Sequence, residues 1–234
     1  MLSIYSTFQV TSLSYLIKKT DLAKSLDATL QKVEINKVKL GRLLVKLQRH
    51  HADTFQHSLN VANLTYYLGR EIKLNGEELI KISMGALFHD IGKLLVDLKI
   101  LDKPGKLTVE EWKIMRQHPR LGVNLLRECG WTEELTLPVL YHHEWIDGSG
   151  YEGLTGSQIP LGARIIALVD SFDAMIFDRP YRTGLLLPKS IIEIQRQSGS
   201  QFDPELVKYF LRILEKLQSR TKPLEETRFS KSVS

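Results

Sequence analysis

The 234-residue sequence contains a single cysteine, Cys129. That excludes an intrachain disulfide framework and any zinc or iron–sulfur site built from several thiolates. A metal bound to this chain must take nitrogen and oxygen ligands. No apolar run reaches the roughly 18 residues that span a bilayer, and even residues 1–17 are interrupted by Ser, Thr and Gln. No basic segment precedes an apolar one at the N-terminus, so the pattern is not that of a secretory signal, and a cytoplasmic location is expected. Alternating strand patterns are also missing, which points to an all-α fold.

What is present is an ordinary globular composition, with 43% hydrophobic and 25% charged residues. That is enough to bury one core in one domain of usual size with an appendage of about 50 residues, or in one larger domain. The net charge is +5. Much of the excess lies in the first 50 residues (Lys18, Lys19, Lys24, Lys32, Lys37, Lys39, Arg42, Lys46 and Arg49), spaced along a helical pattern. This reads as a solvated helix face, so no duplex nucleic-acid partner is expected.

Three zones follow. Residues 1–51 carry an apolar stripe at Leu22, Leu26, Leu30, Val33, Leu40, Leu44 and Leu47, which must bury against the next zone or against the same helix of a second copy, making a homodimer. Residues 52–217 read as successive helices over 53–72, 77–89, 119–129, 132–143, 163–177, 185–197 and 203–217. Thr108 to Glu111 form a capping box, and a glycine-rich segment runs over 147–162. Residues 218–234 are polar and read as a frayed tail.

Ionisable residues interrupt the apolar patterns of the middle zone. Asp53 and His57 are one helical turn apart, as a surface contact or a pair of ligands would be. In "GALFHDIGK" an apolar run passes abruptly to His89 and Asp90, a pairing that is costly to bury unless hydrogen-bonded or bound to metal. His118 precedes Pro119 at a helix start. His142, His143 and Glu144 are followed by three closely spaced glycines, a turn-rich connection or a backbone able to approach a ligand. Asp170 and Asp173 sit in the apolar "ARIIALVDSFDA", where a carboxylate needs a partner.

Together and in order, "HDIGK", "HHEWIDGSGY", "IPLGARIIALVDSFDAM", "RPYR" and "GSQFDPELV" resemble the HD-GYP subgroup of the HD-domain metal-dependent phosphohydrolases over about residues 52–215. The resemblance implies a compact helical bundle with two, in some members three, iron or manganese ions, hydrolysing cyclic di-GMP to pGpG or GMP with water as nucleophile. His57, His89, Asp90, His118, His142, His143 and Asp170 match its ligand positions, with Asp90 bridging. Asp53 matches the position of a third-metal ligand. Lys93 matches the lysine facing the scissile phosphate, Arg179 and Arg182 match phosphate contacts, and Gly150 and Tyr151 line the guanine side. Imidazole and carboxylate donors suit such metals. Hydrolysis of another cyclic dinucleotide or nucleotide ester, or a weakly active regulatory module, is also compatible.

The chain departs from that subgroup at one point. The signature Gly-Tyr-Pro reads Gly150-Tyr151-Glu152 and passes straight to Gly153, so the proline is deleted. Proline stiffens a loop by fixing φ, and its loss is expected to shift Tyr151 and weaken substrate positioning.

Overall fold

Apolar residues recurring every three or four positions fold into successive helices. A computed structural model describes residues 35–177 and 184–221. The elements are α1 (Lys37–His50), α2 (Ala52–Glu71), α3 (Gly76–Phe88), a 3-10 turn (Ile91–Leu95), α4 (Leu98–Leu101), α5 (Val109–Met115), α6 (His118–Arg127) and α7 (Glu133–Leu140). A second 3-10 turn (Gly156–Gln158) then leads to α8 (Leu161–Ile176), α9 (Leu187–Arg196) and α10 (Pro204–Thr221). Among the described residues there is no strand, only an isolated bridge between Ser198 and Phe202. The all-α expectation holds.

The most apolar helix is the most buried one. In α8, Ile165, Ile166, Leu168, Val169 and Phe172 are all fully buried, each contributing roughly 1.5–3 kcal/mol by leaving water. Helix α8 packs on α2, and α2 packs on α3. Phe172 meets Phe210 of α10 edge-on at 5.0 Å. These contacts fix α2 and α8, the two helices that carry His57 and Asp170.

Helix α1 joins the same core through Leu40 and Leu47 and packs on α2 and on the first 3-10 turn. Asn36 caps it by accepting from the Lys39 amide at 2.9 Å. The sequence pattern set residues up to 51 apart. In the structure His51 only ends one helix and caps the next, its Nδ1 accepting from the Thr54 amide at 3.1 Å. Leu22, Leu26, Leu30 and Val33 of the stripe lie outside the described residues, as does any dimer contact made there.

Local signals set several other boundaries. Thr108 and Glu111 form the expected capping box of α5, and Asn75 caps α3 by accepting from the Glu77 and Glu78 amides. Helix α10 continues to Thr221, four residues past its expected end and into the stretch read as tail. Of the helix ends that the sequence placed late, two adjoin the histidines of the middle zone. Helix α3 stops at Phe88, before His89, and α7 stops at Leu140, before His142 and His143. The last carbonyls of a helix have no partner within it, and the histidines that follow use them.

Candidate metal centre

His89 donates its Nδ1 hydrogen to the Ala86 carbonyl at 2.7 Å, His118 to Met115 at 2.8 Å and His142 to Val139 at 2.7 Å. Each carbonyl belongs to the last turn of the preceding helix. A carbonyl only accepts, so each Nδ1 carries a hydrogen and Nε2 is the ring atom left to face the site. The Nε2 atoms of His118 and His142 face one another at 3.3 Å, and the buried His89 Nε2 has no hydrogen-bond partner. Ring nitrogens converging in a dry site are costly without a partner among them.

The carboxylates complete the arrangement. Asp90 is 1% exposed. Its Oδ1 lies 3.2 Å from His118 Nε2. Its Oδ2 lies 3.5 Å from His89 Nε2, 3.9 Å from His57 Nε2 and 2.6 Å from Lys93 Nζ. Asp170 Oδ1 is 2.9 Å from His57 Nε2. Three overlapping groups, His57–His89–Asp90, His89–His142–Asp170 and His118–His142–His143, each bring their donor atoms within 4.8 Å of one another. The donor set is nitrogen and oxygen without sulfur, which suits iron, manganese or zinc. The residues fit a divalent metal centre with two ends, and Asp90 stands between them.

Sequence reasoning named all seven of these side chains. Asp53 is exposed and belongs to none of the three groups. Arg179 and Arg182 lie outside the described residues. Asp173, marked in the sequence with Asp170 as a carboxylate needing a partner but not among the candidate ligands, accepts from His57 Nδ1 at 2.6 Å.

Burial sets the protonation of the site. It lowers the pKa of His89, against Asp90 and Asp170. It holds His142 well below 6.5, helped by the neighbouring histidines, and it takes His143 to about 3, with His118 adding to the effect. Burial works against the Asp90 carboxylate, yet Lys93, His89 and His118 keep it well below its usual range. Asp170 is likewise held low against burial, through His57. Burial also pushes His57 down, but its bonds to Asp170 and Asp173 and their charges raise it to about 9.

A pH profile follows for the chelator-treated protein. His89, His142 and His143 have depressed pKa values, so their contribution to stability is full above 6.5 and is lost as pH falls below it. His57 has the opposite sign, full below 6.5 and lost as pH rises towards about 9. One group changes stability by up to about 1.4 kcal/mol per pH unit. Urea midpoints measured from pH 5 to 9 are expected to peak near neutrality and to fall more steeply on the acid side. A flat profile would contradict these protonation states.

The loop after α7 returns to the site. A Cβ on Gly150 would lie 2.5 Å from Glu144 Cα and 2.7 Å from Trp145 N, so only glycine permits this approach. The Tyr151 ring lies 4.6 Å from that of His143. The Arg116 guanidinium sits 4.5 Å from the Tyr151 ring centre and donates to its carbonyl at 2.9 Å. Glu144, 2% exposed, accepts from the Glu152 amide at 2.6 Å and the Leu154 amide at 2.7 Å. A proline directly after Tyr151 would have no N–H to give. Glu152 also pairs with Arg120. Where the proline ring is missing, these hydrogen bonds and the Glu152–Arg120 pair hold the loop. The sequence marked neither Arg116 nor this use of Glu144; the only signal was Glu144 adjoining the histidine pair.

The HD domain profile matches residues 35–206. The chain belongs to the HD-domain family. Within it, the motifs place the chain in the HD-GYP subgroup. It is 39% identical over 171 residues to a cyclic di-GMP phosphodiesterase of Pseudomonas aeruginosa, covering 72% of this chain and 41% of that protein. It is 36% identical over 176 residues to the cyclic di-GMP phosphodiesterase response regulator RpfG of Xanthomonas campestris, covering 74% and 47%. The chain therefore spans less than half the length of these relatives. Among solved structures, the HD domain of the L. monocytogenes phosphodiesterase PgpH, in complex with cyclic di-AMP, superposes with a TM-score of 0.59 at 19% identity, over 77% of this chain and 97% of that one. That likeness concerns the fold. The family match begins at residue 35, where α1 and its cap join the HD domain. No helix among the described residues is long and apolar enough to cross a membrane.

Proposed function

We propose that this HD domain is a metal-dependent phosphodiesterase that hydrolyses cyclic di-GMP to pGpG, GMP or both, in cytoplasmic second-messenger signalling. The observation that carries the reading is the two-ended donor set on either side of Asp90, with Lys93 paired to it at 2.6 Å. His57, His89 and Asp170 would hold one divalent ion and His118, His142 and His143 a second, with Asp90 shared; iron or manganese suits these donors. Two such ions would supply an ionised water nucleophile near neutral pH and would neutralise charge developing on the phosphoryl group.

The remaining work belongs to the protein. Lys93, 18% exposed at its side chain, presents a cation where a phosphate oxygen would gain charge. Gly150 and Tyr151 offer a wall to one nucleobase. Arg179 and Arg182 would contact phosphates, and Asp53 is a candidate ligand for a third ion. Arg116 holds Tyr151 by a guanidinium–ring contact and a hydrogen bond, interactions worth together about 1.4 kcal/mol or more. Arg116→Ala is expected to raise KM for the dinucleotide about tenfold with kcat nearly unchanged. Steady-state kinetics on the metal-loaded protein read this, and an unchanged KM would show that Tyr151 is placed by other contacts.

Hydrolysis of a different cyclic dinucleotide uses the same donors, and the PgpH neighbour is bound to cyclic di-AMP. A panel of cyclic di-GMP, cyclic di-AMP and a mixed dinucleotide at equal metal loading separates these substrates. Tight binding without turnover of any of them would mark a regulatory module instead.

A further inference from the structure

His57 differs from the other ring donors of the centre in how it is held. His89, His118 and His142 stand at helix ends and give Nδ1–H to a carbonyl that the preceding helix leaves free. His57 lies inside α2, where the neighbouring carbonyls are engaged in the helix itself. Its Nδ1 needs an acceptor from elsewhere, and Asp173 of α8 supplies one at 2.6 Å across 116 residues of sequence. Asp173 is 1% exposed. It lies three residues beyond Asp170, on the same face of α8, so that Asp170 meets Nε2 and Asp173 meets Nδ1 of one imidazole.

We infer that Asp173 is the positioning residue of His57: its buried carboxylate takes the Nδ1 hydrogen and so presents Nε2 as the atom offered to a divalent cation at the Asp170 end of the centre. The inference rests on the proposed metal centre. The physical reason is the one that governs metal-bound imidazoles generally, where an outer carboxylate fixes the tautomer and ring orientation and makes the ligand more basic. The effect is confined to one end of the centre. Among the three donor groups, His57 enters only that with His89 and Asp90, whereas His118 and His143 enter only the group at the other end. Losing Asp173 therefore weakens one ion and spares the other.

The test is calorimetric titration of the chelator-stripped full chain with Mn²⁺. The wild type is expected to show two binding events. Asp173→Ala is expected to weaken one of them by about 10–100-fold and to leave the other within about twofold. Asp173→Asn keeps the volume and a neutral acceptor for Nδ1–H, so a smaller loss at the same event is expected. If the alanine variant does not fold, the asparagine variant decides alone. A merely structural role would lower both events together. That result, or wild-type affinity at both events, would overturn the assignment. No Mn²⁺ uptake by the wild type would overturn the metal reading itself, so the two failures are distinguishable.

Discussion

Asp90→Asn is expected to lower turnover of the dinucleotide by about 10³-fold or more and to reduce bound metal from two ions to at most one. The substitution preserves shape while removing the single carboxylate that faces both ends of the centre, 3.2 Å from His118 and 3.5 Å from His89. Charge stabilisation by a two-metal site is worth several kcal/mol at the transition state, and each 1.36 kcal/mol is a factor of ten in rate. Lys93 loses its partner, but its side chain is partly exposed and its ammonium can be hydrated, so the fold should survive. Elemental analysis alongside kinetics checks both halves of this expectation. A variant that keeps two ions and wild-type turnover would show that Asp90 is not shared between them.

Gly92→Ala should damage the fold and the site together. A Cβ at Gly92 would lie 1.9 Å from the His118 carbonyl oxygen and 2.6 Å from the Gly122 amide nitrogen. Those are backbone atoms and cannot rotate away. Overpacking in a tight core costs about 3 kcal/mol when the backbone has to move. Here the movement pushes α6 from the turn that follows Asp90, separating His118 from Asp90. The expected result is a urea midpoint lowered in proportion and a loss of metal affinity larger than the lost stability accounts for. Gly122→Ala faces contacts of 3.2 Å and longer and should be milder. Equal effects at the two glycines would contradict this packing.

The cluster of candidate ligands was legible in the sequence because charged groups cannot be placed in apolar helices without a reason. His89–Asp90 after an apolar run and Asp170 within one each announce a partner, and the order of the motifs supplies the rest. The helices were legible for the same reason, apart from their ends. His89 and His142 were read as the last turns of helices because periodicity does not reveal when a side chain takes over a free carbonyl. Contacts distant in sequence left no local trace. The pairing of His57 with Asp173 spans 116 residues, and the packing of Gly92 on the start of α6 is visible only in three dimensions. The loop after Tyr151 was half legible: the sequence registers the lost proline but not the two amides that Glu144 collects.

The central claim is that these side chains make a working phosphodiesterase centre. Its most direct test is chromatography of cyclic di-GMP incubated with protein loaded anaerobically with iron or manganese, with His89→Ala treated identically. The expected products are pGpG or GMP from the wild type, with cyclic di-GMP left intact by the variant. Intact cyclic di-GMP from a wild type carrying its full metal complement, or equal product from both proteins, would contradict it.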